Sequence, residues 1–290
     1  MDTVIIIDSS CDLPLEFIEE NKIPFLGLIC HLDGEDYVDD FGKTLTYEKF
    51  YSKIRQGSMP TTSQINVYRF HEMFKKYVQE GKSIIYLAMS SQMSGCYSSA
   101  VIAKQQVEEE IEGVDISVID TKSACIGEGI IVYYAYEMLK NGSSKEEIVK
   151  WIEENKLKVH HWFIVEDLIH LKKGGRLSAT KANIGTLLQI KPTIYIDKEG
   201  NLQNINNVRG RKKAIKALLD RMEENIVIDE NTVIGISHGD CIEDALSLRD
   251  VIVEKYKIKK VIINHVGPVI ASHTGAGMLS ICFIGKDRVI

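Results

Sequence analysis

The stretch SIIYLAMSSQMSGCYSSA (Ser83–Ala100) reads as a strand, a hydroxyl-rich loop and the opening of a helix. Its first seven residues are apolar at nearly every position, the pattern of a parallel strand covered on both faces. In open α/β sheets, ligands sit beyond the carboxyl ends of the strands, where chain turns into helix. There the unpaired amides and the dipole of the next helix favour an anion, and serine hydroxyls add donors. The loop from Ser90 to Gly95 contains no acid, base or lysine. A plain helix cap at Ser94 is the competing reading.

Outward from this unit, VIII (Val4 to Ile7), IPFLGLI (Ile23 to Ile29) and DISVID (Asp115 to Asp120) read as further strands of the same sheet. Between them Tyr47, Phe50, Tyr51 and Ile54 recur at helical spacing, as do Val67, Phe70, Phe74, Tyr77 and Val78, with Gly81 placed to end the second helix. Ser123 to Lys140 is predicted helical, and Ser144 with Glu147 forms a capping-box pattern for the next helix. The alternation predicts right-handed crossovers and a parallel sheet. After about Leu157 the pattern changes. HHWFIV is strand-like, TIYI and LQNINNV flank a hairpin turn over Asp197–Asn201, and strands TVIGIS and KVIINHV alternate with helices starting at Arg211 and Ile242. The expected architecture is two-domain α/β: a parallel-sheet α/β domain over 1–157 and an α+β domain with a mixed or antiparallel sheet over 158–290, with a ligand between them.

Composition narrows the function classes. The 290 residues carry a net charge of -6 with the basic residues dispersed, which argues against nucleic acid as a partner. No apolar run reaches the length of a transmembrane helix, and MDTVIIIDSS lacks the basic and small-residue features of a signal peptide, so a cytoplasmic location is expected. The six cysteines show neither CxxC nor zinc spacing and read as reduced core residues. Asp8 and Asp12 end the first strand, but without a phosphate-binding lysine they are weak candidates for a magnesium site, and Asp8 reads better as ordering its turn. Neither a P-loop nor a nucleophile elbow occurs.

Three more segments have binding chemistry. PTTSQ (Pro60 to Gln64) is a second neutral, donor-rich loop ahead of an Asn66-capped helix. KKGGRLS (Lys172 to Ser178) offers Arg176 beside a glycine pair, and a guanidinium grips carboxylate or phosphate with two donors. GPVIASHTGAG (Gly267 to Gly277) surrounds His273 with glycines that let backbone approach a ligand. The histidines other than His238 and His273 read as structural or surface residues.

Taken in order along the chain, VIIIDSSCDLP, TTSQ, SSQMSGCYSSA, KKGGRLS with Lys191-Pro192, and GPVIASHTGAG resemble the DegV family. That resemblance implies a bacterial fatty-acid-binding protein. Two α/β domains would enclose a long-chain fatty acid, presented to a separate ATP-dependent kinase subunit, with no cofactor, metal or catalytic residue in this chain. Carried over by motif, Thr62, Ser63, Ser94 and Gly95 correspond to the donors to the carboxylate, while His273 and Arg176 correspond to groups that steady the carboxylate or a growing acyl phosphate. The chain reads TSQI, SGCY and HTGAG where members often have TSQP, SGTY and HTGPG, and Cys96 deletes one hydroxyl. About fifteen methylenes at about 0.8 kcal/mol each would supply roughly 12 kcal/mol of gross tail burial. The enzyme alternative is an acyl-transferase using Ser94 or Cys96 with His273 as base; a third reading makes His273 a phosphocarrier. RGRKK (Arg209 to Lys213) is a candidate docking patch for an acidic partner.

Overall fold

The computed structural model describes residues 2–177 and 189–288; Ser178 of the KKGGRLS segment lies outside them. Strands β1 (Thr3–Asp8), β2 (Phe25–Leu26), β6 (Ser83–Ala88) and β7 (Ile116–Asp120) form an all-parallel sheet in the order β2-β1-β6-β7. Alternation sends successive side chains to opposite faces. Ile5, Ile7, Ile85 and Leu87 pack on one face with α5 (Cys125–Lys140) and α6 (Lys145–Asn155). Ile6, Ile84 and Tyr86 pack on the other with α3 (Val67–Gln79) and α4 (Cys96–Glu110). The double burial read from SIIYLAM is therefore the cause of the layered α/β architecture. Local signals also act as predicted: Asn66 Oδ1 accepts from the Arg69 amide, Gly81 ends α3 with φ +75°, and Ser144 and Glu147 complete a reciprocal capping box.

IPFLGLI is not one strand. Its first part is β2, and its last residue begins β3 (Ile29–Leu32), which leaves the parallel sheet for a small antiparallel sheet with β4 (Glu35–Val38) and β5 (Thr61–Ser63). The break falls at Gly27, where a Cβ would lie 2.2 Å from the Asp39 carbonyl oxygen. The TTSQ segment is correspondingly an edge strand of this sheet, in place of the expected loop.

The remaining sheet is mixed, in the order β10-β9-β8-β13-β11-β12. Its strands are β8 (Val159–Ile164), β9 (Ile190–Ile196), β10 (Leu202–Arg209), β11 (Val233–His238), β12 (Lys260–His265) and β13 (Leu279–Ile284). Among the described residues of this sheet, only β11 and β12 pair in parallel. Helices α8 (Arg211–Asn225) and α9 (Ile242–Tyr256) cover one face through Ala214, Leu218, Leu248 and Ile252. The β9–β10 hairpin lies where the sequence puts it. Two central elements are not foreseen: β13, which sits mid-sheet, and α10 (Pro268–Thr274), which makes a helix of the segment read as a glycine-rich loop. Gly275 and Gly277, at φ +74° and +78°, then return the chain from α10 into β13. No helix among the described residues is long and apolar enough to cross a membrane.

Candidate functional site

Between the carboxyl ends of the parallel sheet and the open face of the mixed sheet lies a cavity with about 160 Å³ of space open to the centre of a water-sized sphere. Its walls are largely apolar: Leu28 and Met89 from one side, Phe163, Ile196 and Leu202 from the other, Val269 and Ile270 from α10. Thr62, Ser94, Gly95, Arg176 and His273 all line it, so four sequence segments far apart in the chain converge there.

Each is positioned by its own element. Thr62 projects from β5 and pairs its Oγ1 with His273 Nε2 at 2.8 Å, tying β5 to the last turn of α10. Burial, with Arg176 and His170 adding to it, lowers the His273 pKa to about 4, so the ring is neutral at pH 7. Its Nδ1 is buried without a partner among the described residues and lies against Gly174, where any Cβ would come within 2.1 Å. The second glycine of the GG pair turns the chain at φ +70°, whereas the first makes room for the imidazole.

Ser94 and Gly95 open α4. Gly95 occupies the N-cap position without a side-chain cap, and Ser94 Oγ accepts from the Cys96 amide at 3.3 Å. Gln64 bridges this turn to β5: its Nε2 donates to Ser99 Oγ at 2.9 Å, and a Cβ on residue 95 would lie 2.0 Å from its Oε1. Gln64 therefore joins the site, although the sequence reading gave it no role. The loop is also clamped from the hairpin, since Ser90 Oγ donates to the Gly200 carbonyl at 2.8 Å. Arg176 donates from Nε to the Met93 carbonyl at 3.1 Å and from Nη1 to that of Gly174 at 2.6 Å. Its Nη2 has no partner among the described residues.

Ser63 does not join this group. Strand alternation turns it to the opposite face of β5 from Thr62, where its hydroxyl meets His31 Nε2 at 2.6 Å. Cys96 is fully buried, its thiol pushed up to about 12 chiefly by burial, and it accepts from the Ile65 amide. Neither it nor Ser94 bonds to His273, whose ring is directed at Thr62 instead. The geometry thus lacks the nucleophile–base contact of an acyl-transferase. Within the docking patch, Arg211 is committed to Asp244 and Glu166, leaving Lys212 and Lys213 exposed.

The two aspartates of the first strand end belong to a separate, fully buried nest. Asp8 orders its turn by accepting from the Ser10 amide at 2.9 Å, and Tyr86 donates to its other oxygen at 2.9 Å. Asp12 accepts from the Gly267 amide at the start of α10. Burial raises the pKa of Asp8, Asp12 and Glu128, and that of Asp39 to about 7. No group of three or more metal-ligating side chains occurs among the described residues.

Comparison with known proteins converges on one family. The family model described as "Uncharacterised protein, DegV family" matches residues 2–286. A DegV domain-containing protein of Clostridium perfringens is 47% identical over 285 residues, covering 98% of each chain. Among solved structures, a DegV lipid-binding protein of Thermotoga maritima superposes with a TM-score of 0.87 at 30% identity, covering 99% of this chain and all of the other. DegV of Bacillus subtilis, described as a fatty acid binding protein, gives 0.84 at 29% identity with the same coverage.

Proposed function

The chain belongs to the DegV family, and from that premise we propose that it binds a long-chain fatty acid in the cavity between its sheets, 1–157 contributing one wall and 158–290 the other. The carboxylate is held by the hydroxyls of Thr62 and Ser94 and the Gly95 amide, with Gln64 bracing the turn. The acyl chain runs along the apolar walls. His273 and Arg176 stand at the same end and steady the carboxylate while a separate ATP-dependent kinase subunit phosphorylates it. Ser63 acts only through His31, by holding the edge strand.

The observation that carries this reading is the asymmetry of the cavity mouth: hydroxyl, amide and guanidinium donors gather with no acid among the described residues to meet them, at the head of a largely apolar space. A carboxylate supplies acceptors for such donors, and charge-assisted hydrogen bonds are about twice as strong as neutral ones. Similarity to the lipid-binding Thermotoga and fatty-acid-binding Bacillus proteins supports the same conclusion. Protein purified without added lipid should release a stoichiometric fatty acid on denaturation, read by mass spectrometry. A protein that releases none and also refuses oleate and palmitate would overturn the proposal. For the kinase step, incubation with ATP and the partner subunit should place phosphate on the lipid; acid-labile phosphate on His273 would instead make the chain a phosphocarrier.

A further inference from the structure

The end of the cavity away from Thr62 is not apolar. His161 lines it from β8, is 2% exposed, and has no hydrogen-bond partner at either ring nitrogen among the described residues; the Val159 carbonyl lies near without meeting hydrogen-bond geometry. Burial, together with Arg288 and His160, holds its pKa well below the usual histidine value, so the ring is neutral and presents one N–H donor and one lone pair. The ring is confined, because Nε2 lies against Gly127 of α5, where a Cβ would come within 2.0 Å.

The surroundings favour an oxygen. Cys282, opposite His161 in the β8–β13 register, and Cys125 both line this end. Cys125 opens α5, a helix of 16 residues with no side-chain cap, and the Ile126 and Gly127 amides of its first turn approach the Cys125 thiol. Ser280 lines the same wall, but its hydroxyl is occupied with Ser237. β13 starts at Leu279, five residues after α10, whose last turn carries His273, and Cys282 lies three residues further on, about 10 Å along the strand. The imidazole is therefore well removed from the donor cluster at the mouth.

A pocket evolved only for a methyl-ended chain has no use for a buried imidazole with both nitrogens unpaired, since an unmet buried donor weakens every complex that covers it. We propose that His161 selects acyl chains carrying an uncharged oxygen, a hydroxyl or keto group, at mid-chain or beyond. The inference rests on the fatty-acid reading above and adds the class of chain. Because Nε2 is packed against Gly127, the oxygen meets the ring at Nδ1, a hydroxyl in either role and a keto oxygen by accepting from an Nδ1–H.

The test uses full-length, delipidated protein in competition against a fluorescent fatty acid, with octadecanoate and hydroxyoctadecanoates bearing the hydroxyl at mid-chain or further out. At least one hydroxy acid should bind roughly tenfold more tightly than octadecanoate, a difference of about 1.4 kcal/mol. His161→Leu should bring that ratio to about one while octadecanoate binding is kept or improved. His161→Gln, which retains a donor and an acceptor, should keep part of the preference and guards against a folding defect in the leucine variant. Equal binding of all chains by the wild type, as expected if a trapped water satisfies His161, overturns the proposal, as does a preference that survives in His161→Leu. Failure of every chain to bind would instead overturn the fatty-acid reading.

Discussion

The two polar clusters at opposite ends of α10 meet burial in opposite ways. Around Thr62, His273, Ser94 and Arg176 there are donors and, among the described residues, no acid. Around Asp8, Asp12, Asp39 and Glu128 there are acids, none in an ion pair with a cation among the described residues. A buried carboxylate can lessen its own desolvation by keeping a proton, so the nest persists although Asp12 Oδ2, Asp39 Oδ2 and Glu128 Oε1 have no hydrogen-bond partner among the described residues. A hydroxyl, an amide or a guanidinium has no such exit; any of its hydrogens left without a partner inside the protein needs an acceptor from outside. The difference separates a structural cluster from a binding one on chemistry alone.

The comparison breaks most visibly if the donors are removed. Thr62→Ala with Ser94→Ala should weaken oleate binding by about 2 to 6 kcal/mol, taking about 1 to 3 for each lost hydrogen bond, with the folding transition little changed. Titration of delipidated protein reads this, and unchanged affinity would reject the head-group assignment.

Next in size is the proton held by the acid nest. Asp39 is raised from 3.8 to about 7, so between those values the folded state holds a proton that the unfolded chain has lost. Stability from this group is therefore present at low pH and is lost as pH rises through that window, by an amount on the order of 3 kcal/mol. Histidines with lowered values, His273 among them, pull the other way. The difference between wild type and Asp39→Asn in denaturant midpoints isolates the aspartate: the wild type should lose ground to the variant from about pH 4 to pH 7, and parallel curves would refute it.

Gly174→Ala sharpens the contrast further, because a methyl group there displaces the His273 ring. Losing its bond to Thr62 should cost ligand affinity about 1 kcal/mol, and the His273 ring resonances in an NMR spectrum should move even without ligand. The smallest effect belongs to Ser63→Ala. It removes only the hydroxyl facing His31 and should change fatty acid affinity less than twofold; a loss equal to that of Thr62→Ala would mean that both hydroxyls reach the ligand.

Much of this was legible in the chain. A strand apolar at nearly every position has no wet face, so SIIYLAM required helices on both sides, and Asn66, Gly81 and Ser144 announced helix ends through chemistry confined to one turn. The segments containing Thr62, Ser94, Arg176 and His273 were recognisable as donor-rich. Three things were not legible. β13 was hidden because LSICFI follows a glycine-rich turn and carries no local sign of which strands it separates. Ser63 was indistinguishable from Thr62 until pairing with β3 fixed which of two adjacent hydroxyls faces inward. His161 read as a structural histidine because only Cys282, Cys125 and Gly127, brought from elsewhere in the chain, define the wall it lines.

The sequence by itself determined the layered α/β architecture and the inventory of donors, since burial pattern and side-chain chemistry are local properties. Tertiary structure alone decided which donors share a space, which one turns away and where the cavity ends. Those outcomes depend on strand register and on contacts between residues a hundred or more positions apart, and no local pattern encodes them.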